Sequence, residues 1–335
     1  MTKRLLILFL VVALIFTFSA CGSSKPGEGK NIVMVTDAGG LGDGSFNDSA
    51  NEGLKKAEDE LGIKANVLES ETADDYARNF ITGVEEGGDL LFGVGYLLAP
   101  AITEIAGKNP EQYFAIIDET IDLENVISVT FKENEGSFLV GVIAGLTTES
   151  DVVGFIGGIE SPDIQKFEYG FKAGVKSVNP DAEVVVNYTE SFSDPDLGKD
   201  EALQQNQLGA DVIYHSSGAC GLGIIQAAQE HDFWVIGVNE DQSNEDPEHV
   251  LCSMIKNVDS AAYTLAKAVV EDTFENPQIM LGLREDGVGY SDEAGNLSED
   301  IAAVVDKFKE AIIDDAFEVP FDKATYDAFE GYSVD

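Results

Sequence analysis

Positive charge is what this chain has least of. Twenty lysines and arginines and three histidines stand against 62 aspartates and glutamates, a formal net charge of −42. Such a surface repels nucleic acid, which excludes that partner class, and does not lie flat on an anionic membrane. The acids are scattered along the chain, as in "DAEVVV" (181–186) and "EHDFWV" (230–235), rather than massed in a tail. Scattered acids read as a solvating surface, one suited to high salt. Cysteine is also scarce: Cys21, Cys220 and Cys252. Nothing in the spacing of the last two favours a disulfide, so they are expected as buried thiols. The usual catalytic signatures are missing. No Gly-Lys-Ser/Thr follows a glycine-rich turn, no Gly-x-Ser-x-Gly elbow occurs, and "GACGLG" (218–223) lacks the dinucleotide fingerprint order. His215, His231 and His249 lack metal-ligand spacing, and "DPDLGKD" (194–200) lacks that of a calcium loop. No enzyme, metal or cofactor is expected.

The one prominent apolar run is at the start. Lys3 and Arg4 precede Leu5 to Phe18, and Ser19-Ala20-Cys21 follows. A basic start, a short apolar core and small residues at the cut make a secretory signal over 1–20. The run is shorter than the ~20 residues of a membrane-spanning helix. Ser-Ala-Cys resembles a bacterial lipobox, in which the thiol of Cys21 is lipidated. The alternative is an ordinary cleaved signal with an incidental cysteine. Residues 21–30, rich in Gly, Ser, Pro and Lys, read as a flexible tether. The body is then lipid-anchored on the extracytoplasmic face of the cell membrane.

About 305 residues follow the tether, too many for one ordinary core, and two lobes are expected. "NIVMVTD" (31–37) is an apolar run ending in polar residues, the mark of a strand buried on both faces. Helical spacing over 49–61, the strand "IKANVLES", helix over 74–86, the strand "DLLFGVG", helix over 100–107, and the strands "YFAIIDE" and "NVISVTF" complete a first α/β half. The pattern restarts with a helix over 135–147 and alternates again to the strand "VLCSMIKN" (250–257). This alternation implies parallel sheets. The expected division is residues 31–133 plus 257–285 for one lobe, 134–256 plus 286–320 for the other, and a polar tail over 321–335.

In open parallel sheets ligands bind beyond the carboxyl ends of the strands, so the residues there are the candidates. After the first strand come glycines, Asp37, Asp43, Phe46 and Asn47. Asn47, Asp48 or Ser49 could equally be a helix N-cap, but Phe46 has no core periodicity to explain it. Asp118 ends the strand in "AIIDET", placed to accept hydroxyl hydrogen bonds or to cap. Phe192 lies beside a turn, Gly218 in a Gly/Ser turn, and Asn239 and Asp241 after another strand. Lys256 interrupts an apolar stretch, either to donate to a ligand or to pair with an acid. Carboxylates, amides, lone aromatics and one cation suit a nucleoside or sugar.

The ordered set "DAGGLGDGSFND", "GVGY", "KENEGSFLVGVIAG", "VGFIGG", "FEYGFKAG", "SFSDPDLGK", "SGACGLG", "GVNEDQ" and "SMIKNVDSA" spans nearly the whole mature chain. It resembles the basic membrane protein family of lipoproteins, the purine-nucleoside receptors of ABC importers. The resemblance implies a type I periplasmic-binding-protein fold: α/β, with two doubly wound parallel-sheet lobes, three crossovers and an interlobe cleft. It implies a small-molecule ligand (inosine, guanosine or adenosine) with its base stacked on aromatics and its ribose held by Asp and Lys. It also implies an ABC permease as partner. Asp37, Phe46, Asn47, Asp118, Gly218 and Lys256 match the family pattern by position. Phe192 matches a strand end where this fold class often stacks an aromatic. The family's "GVD-x-DQ" is here "GVNEDQ", so Asn239 replaces an acid expected near the ribose. An amide still bonds hydroxyls, and Asp241 is the alternative. A sugar or other polar ligand, and a surface nucleoside hydrolase, are the competing readings.

Overall fold

A computed structural model describes residues 25–274 and 278–334; the secretory signal expected over 1–20 and the lipidation expected at Cys21 lie outside the described residues. The first lobe runs β1 (Asn31–Val35), α1 (Phe46–Leu61), β2 (Lys64–Leu68), α2 (Ala73–Glu85), β3 (Leu90–Val94), α3 (Ala99–Lys108), β4 (Tyr113–Ile117) and β5 (Val126–Phe131). The second runs α4 (Glu133–Thr147), β6 (Val152–Gly157), α5 (Pro162–Val178), β7 (Glu183–Tyr188), α6 (Pro195–Gln207), β8 (Val212–Ser216), α7 (Cys220–His231), β9 (Trp234–Asn239) and β10 (Val250–Lys256). The chain closes with α8 (Val258–Val270), β11 (Gln278–Leu281), β12 (Val288–Ser291), α9 (Glu299–Ile313) and α10 (Lys323–Ala328).

Among the described residues there are two six-stranded sheets, ordered β11-β5-β4-β3-β1-β2 and β12-β10-β9-β8-β6-β7. Every pairing is parallel except β12 against β10. The chain passes between sheets after β5, after β10 and after β11, so three crossovers join the lobes. The apolar runs became the central strands because both faces are covered: β3 is buried along its whole length, as is β8. The edge strand β12 has no signal in sequence, since "VGYS" is short, carries a glycine and is half-buried.

Three segments differ from expectation. The flexible tether expected over 21–30 is fastened at two points: Gly27 is buried and its N–H donates to Leu61 O at 2.8 Å, and Lys64 N donates to Lys30 O at 2.8 Å, while the residues between stay exposed. The tail over 321–335 is anchored. Tyr332 stacks on Phe317 at 4.1 Å between ring centres and Phe329 meets Phe138 edge-on, because aromatics at 326, 329 and 332 recur on one side. Third, α1 starts at Phe46, three residues before its apolar periodicity does. Cys220 and Cys252 are free and buried. Helices α4 and α5 pack backbone to backbone: a Cβ on Gly170 would lie 2.4 Å from Asn134 O, and one on Gly174 2.1 Å from Phe138 O.

Candidate functional site

The early start of α1 has an electrostatic cause. The carboxylate of Asp43 accepts from the N–H groups of Ser45 (3.0 Å), Asn47 (2.9 Å) and Asp48 (3.2 Å), the orphan donors of a helix N-terminus. That brings Phe46 and Asn47 to the end of β1, beside Asp37. Asn47 Nδ2 donates to Asp37 Oδ1 at 2.9 Å and to Asp43 Oδ2 at 3.1 Å. Both its amide hydrogens are thereby used, and its Oδ1 is buried without a partner. Burial pushes the Asp37 carboxyl up to about 6, against the lowering effect of its bonds to Asn47 and Gly39.

Beyond β4, Asp118 takes φ +70, a left-handed conformation more usual for glycine. Its Oδ2 accepts from Lys256 Nζ at 2.5 Å, and its Oδ1 is buried and unpartnered. Burial raises the Asp118 carboxyl to about 6, outweighing the neighbouring ammonium. Lys256 ends β10 and is 1% exposed. Burial alone would depress its pKa, but Asp118 and Glu133 together hold it above the ordinary value, so it is charged. Its ammonium also faces the rings of Phe46, Phe131 and Phe167 at 5.1, 4.9 and 5.5 Å.

From the second lobe, the ring of Phe192 lies against Gly158, where a Cβ would come within 2.1 Å of it. Gly218 has φ +56, and its backbone passes so near Phe192 that a Cβ would sit 2.8 Å from that residue's carbonyl oxygen. Asn239, at φ +71, ends β9 and reaches across the cleft, where its Nδ2 donates to Ser45 Oγ at 2.7 Å. Ser45 Oγ in turn donates to Val238 O at 3.1 Å, and Gln242 Nε2 donates to Gly44 O at 2.9 Å. His215 Nε2 lies 3.0 Å from Gln242 Oε1. Burial lowers His215 to about 4, so the ring is neutral and serves as a fixed donor to Gln242. The two lobes are therefore hydrogen-bonded shut.

Asp37, Phe46, Asn47, Asp118, Phe192, Gly218, Asn239 and Lys256 line one interlobe cavity. Asp241 does not. It caps a short turn, accepting from Ser243 N at 2.9 Å, and its other oxygen accepts from Glu293 N at 3.2 Å. An acid two residues beyond a strand end points away once the next residues turn into a 3₁₀ helix. The cavity wall also includes Tyr96, Asp163, Ile164 and Phe167. The residues from α5 carried no signal in the sequence, because Ile164 and Phe167 at helical spacing read as core. Chemically the cavity offers aromatic faces along its walls, hydrogen-bond acceptors at Asp37 and Asn47, and a paired carboxylate and ammonium at Asp118 and Lys256.

Two parallel α/β lobes, three crossovers and a largely apolar, aromatic-walled cavity with a few polar groups between strand ends are the architecture of a solute-binding protein of the type I periplasmic-binding fold. Residues 30–323 match the family described as ABC transporter substrate-binding protein PnrA-like (Bmp), and the chain belongs to that family. It is a family of substrate-binding proteins, not of enzymes. The CD4+ T-cell-stimulating antigen of Listeria innocua is 41% identical over 347 residues, covering 94% of this chain and 97% of that protein. The ABC transporter nucleoside-binding protein BmpA of Lactococcus lactis is 37% identical over 311 residues, covering 86% and 88%. The solute-binding protein of an ABC transporter system from Aeropyrum pernix K1 has a TM-score of 0.82 at 30% identity, covering 89% of this chain and 96% of that one.

Proposed function

We propose that this ABC transporter substrate-binding protein takes up a purine nucleoside, is held to the cell surface through a lipid on Cys21, and passes its ligand to a membrane permease. The observation that carries the reading is the pair of acceptors at one end of the cavity. Asn47 has spent both amide hydrogens, so it offers the ligand a carbonyl oxygen, beside the carboxylate of Asp37. Adjacent acceptors match a purine edge made of donors. Guanine has two, its ring N1–H and its 2-amino group, and hypoxanthine has the ring N1–H. Adenine has an acceptor at that ring position. Guanosine and inosine are therefore favoured over adenosine. Phe46 and Phe192 supply faces for the base. The free Oδ1 of Asp118 and the Lys256 ammonium suit ribose hydroxyls. The nucleoside-binding relative in Lactococcus lactis supports the same ligand class.

Thermal melting with each nucleoside tests this. At a hundredfold excess over Kd a ligand adds about 2.7 kcal/mol of stability, a readily measured shift. The expected order is guanosine, then inosine, then adenosine, with every nucleoside recovered intact. Release of free base would make the protein a hydrolase, and a shift only with sugars would replace the ligand class.

A further inference from the structure

Glu133 stands at the first crossover, at the start of α4, and is 1% exposed. It does not line the interlobe cavity. A carboxylate so deeply buried is costly unless it is matched by charge. Its Oε1 lies 3.1 Å from Lys256 Nζ, and its Oε2, which makes no hydrogen bond, lies 3.5 Å from Lys166 Nζ. Lys166 is held in turn by Asp163 Oδ1 at 2.8 Å. The five side chains Asp118, Lys256, Glu133, Lys166 and Asp163 thus alternate in sign, and both ends of the row reach the cavity wall.

The row has a geometric consequence at Lys256. An ammonium has three protons. One goes to Asp118 Oδ2 and a second to Glu133 Oε1, which leaves one. The three phenyl faces around the ammonium attract it without fixing its direction. With Asp118 as its only anion, the ammonium would be free to swing across both oxygens of that carboxylate and cover Oδ1. We propose that Glu133 is a positioning residue for ligand binding. It pins Lys256 from the side away from the cavity, so that the third proton of the ammonium and the free Oδ1 of Asp118 both face a pair of ligand hydroxyls. The inference rests on the reading of Lys256 as a ligand contact.

Calorimetry with guanosine and with 2′,3′-dideoxyguanosine, which lacks the vicinal hydroxyls, separates positioning from mere structure. In the full chain, guanosine should bind more tightly than the dideoxy compound, and Lys256→Met should erase that advantage. Glu133→Gln should cost guanosine at least tenfold in affinity while changing the dideoxy compound less than threefold. Glu133→Asp, which keeps the charge, should recover part of the loss, and it carries the test if the Gln variant fails to fold. Equal weakening of both ligands by Glu133→Gln, or no weakening of either, overturns the proposal while the site stands. A Lys256→Met variant that keeps the full advantage, or a wild-type chain that binds no guanosine, overturns the functional reading and the proposal with it.

Discussion

At the scale of single residues, the cavity sets side chains whose burial works against their charge beside aromatic faces that are half open. Phe46 is half-buried at a helix start, so trimming it costs the fold little and the ligand much. Base stacking on an aromatic is worth roughly 1–3 kcal/mol. Phe46→Ala should therefore weaken nucleoside binding by about five- to 150-fold with little change in melting temperature; calorimetry finding wild-type affinity would remove Phe46 from the site. Asp37 and Asp118 both titrate near 6 because they are buried. Each must be ionised to accept from the ligand, so protons compete with the ligand below that pH. Affinity for guanosine should be level above about pH 7 and fall by tenfold or more per pH unit below about 6. A flat profile from about pH 8 to 5 would contradict this assignment. The places of Asp37, Phe46, Asn47, Asp118, Phe192, Gly218, Asn239 and Lys256 on the cavity wall were legible in the sequence because the cavity opens at the strand ends. Asp241 was legible only as a type, since its direction depends on a turn that strand patterning does not encode.

At the scale of elements, the end of β9 and the loop between β1 and α1 are joined by a small latch. Asn239 donates to Ser45, which has a single proton and gives it to Val238 O. Asn239→Asp would replace the donor by an acceptor. Ser45 would then have to turn its proton to the new carboxylate and give up its bond to Val238 O, which keeps the Glu240 N–H at 3.0 Å; the loss of one buried hydrogen bond costs about 0.5–1.5 kcal/mol. The substitution restores the acid of the family pattern, yet it should weaken binding, by about two- to tenfold, through a less stable closed form. Scattering measurements should find more of the open form in the ligand-bound variant. Tighter binding would mean that ribose, not Ser45, is the true partner of position 239. Elements that are long and periodic were readable from the sequence. The short β12 and α10 were not, because what stabilises them is the neighbour they pack on rather than their own pattern.

At the scale of the whole molecule, excess negative charge works against compactness. Added sodium chloride screens it, so the melting temperature of the ligand-free protein should rise with salt at neutral pH. Equal stability in low and molar salt would remove the idea that this surface suits high salt. Acid acts in the same direction at first. The folded chain holds protons on Asp37 and Asp118 up to about 6, whereas an ordinary carboxyl releases them near 3.8. Protonation in that window favours the folded state, so these two groups raise stability as pH falls from about 7 toward 4. A melting temperature that drops steadily from about pH 7 to 5 would count against both carboxyls.

The sequence by itself determined the parallel α/β architecture, the two lobes and most of the residues that line the cavity between them. Runs of apolar side chains, and the turns that end them, are local properties of the chain. Only the tertiary structure decided which carboxylate faces the cavity, that Asn47 has no hydrogen left to give, that the segments around Gly27 and Tyr332 are fastened down, and that Lys256 is held by Glu133 as well as Asp118. Those outcomes depend on groups that folding brings to hydrogen-bonding distance, and hydrogen-bond valence is settled only when all the partners are in place.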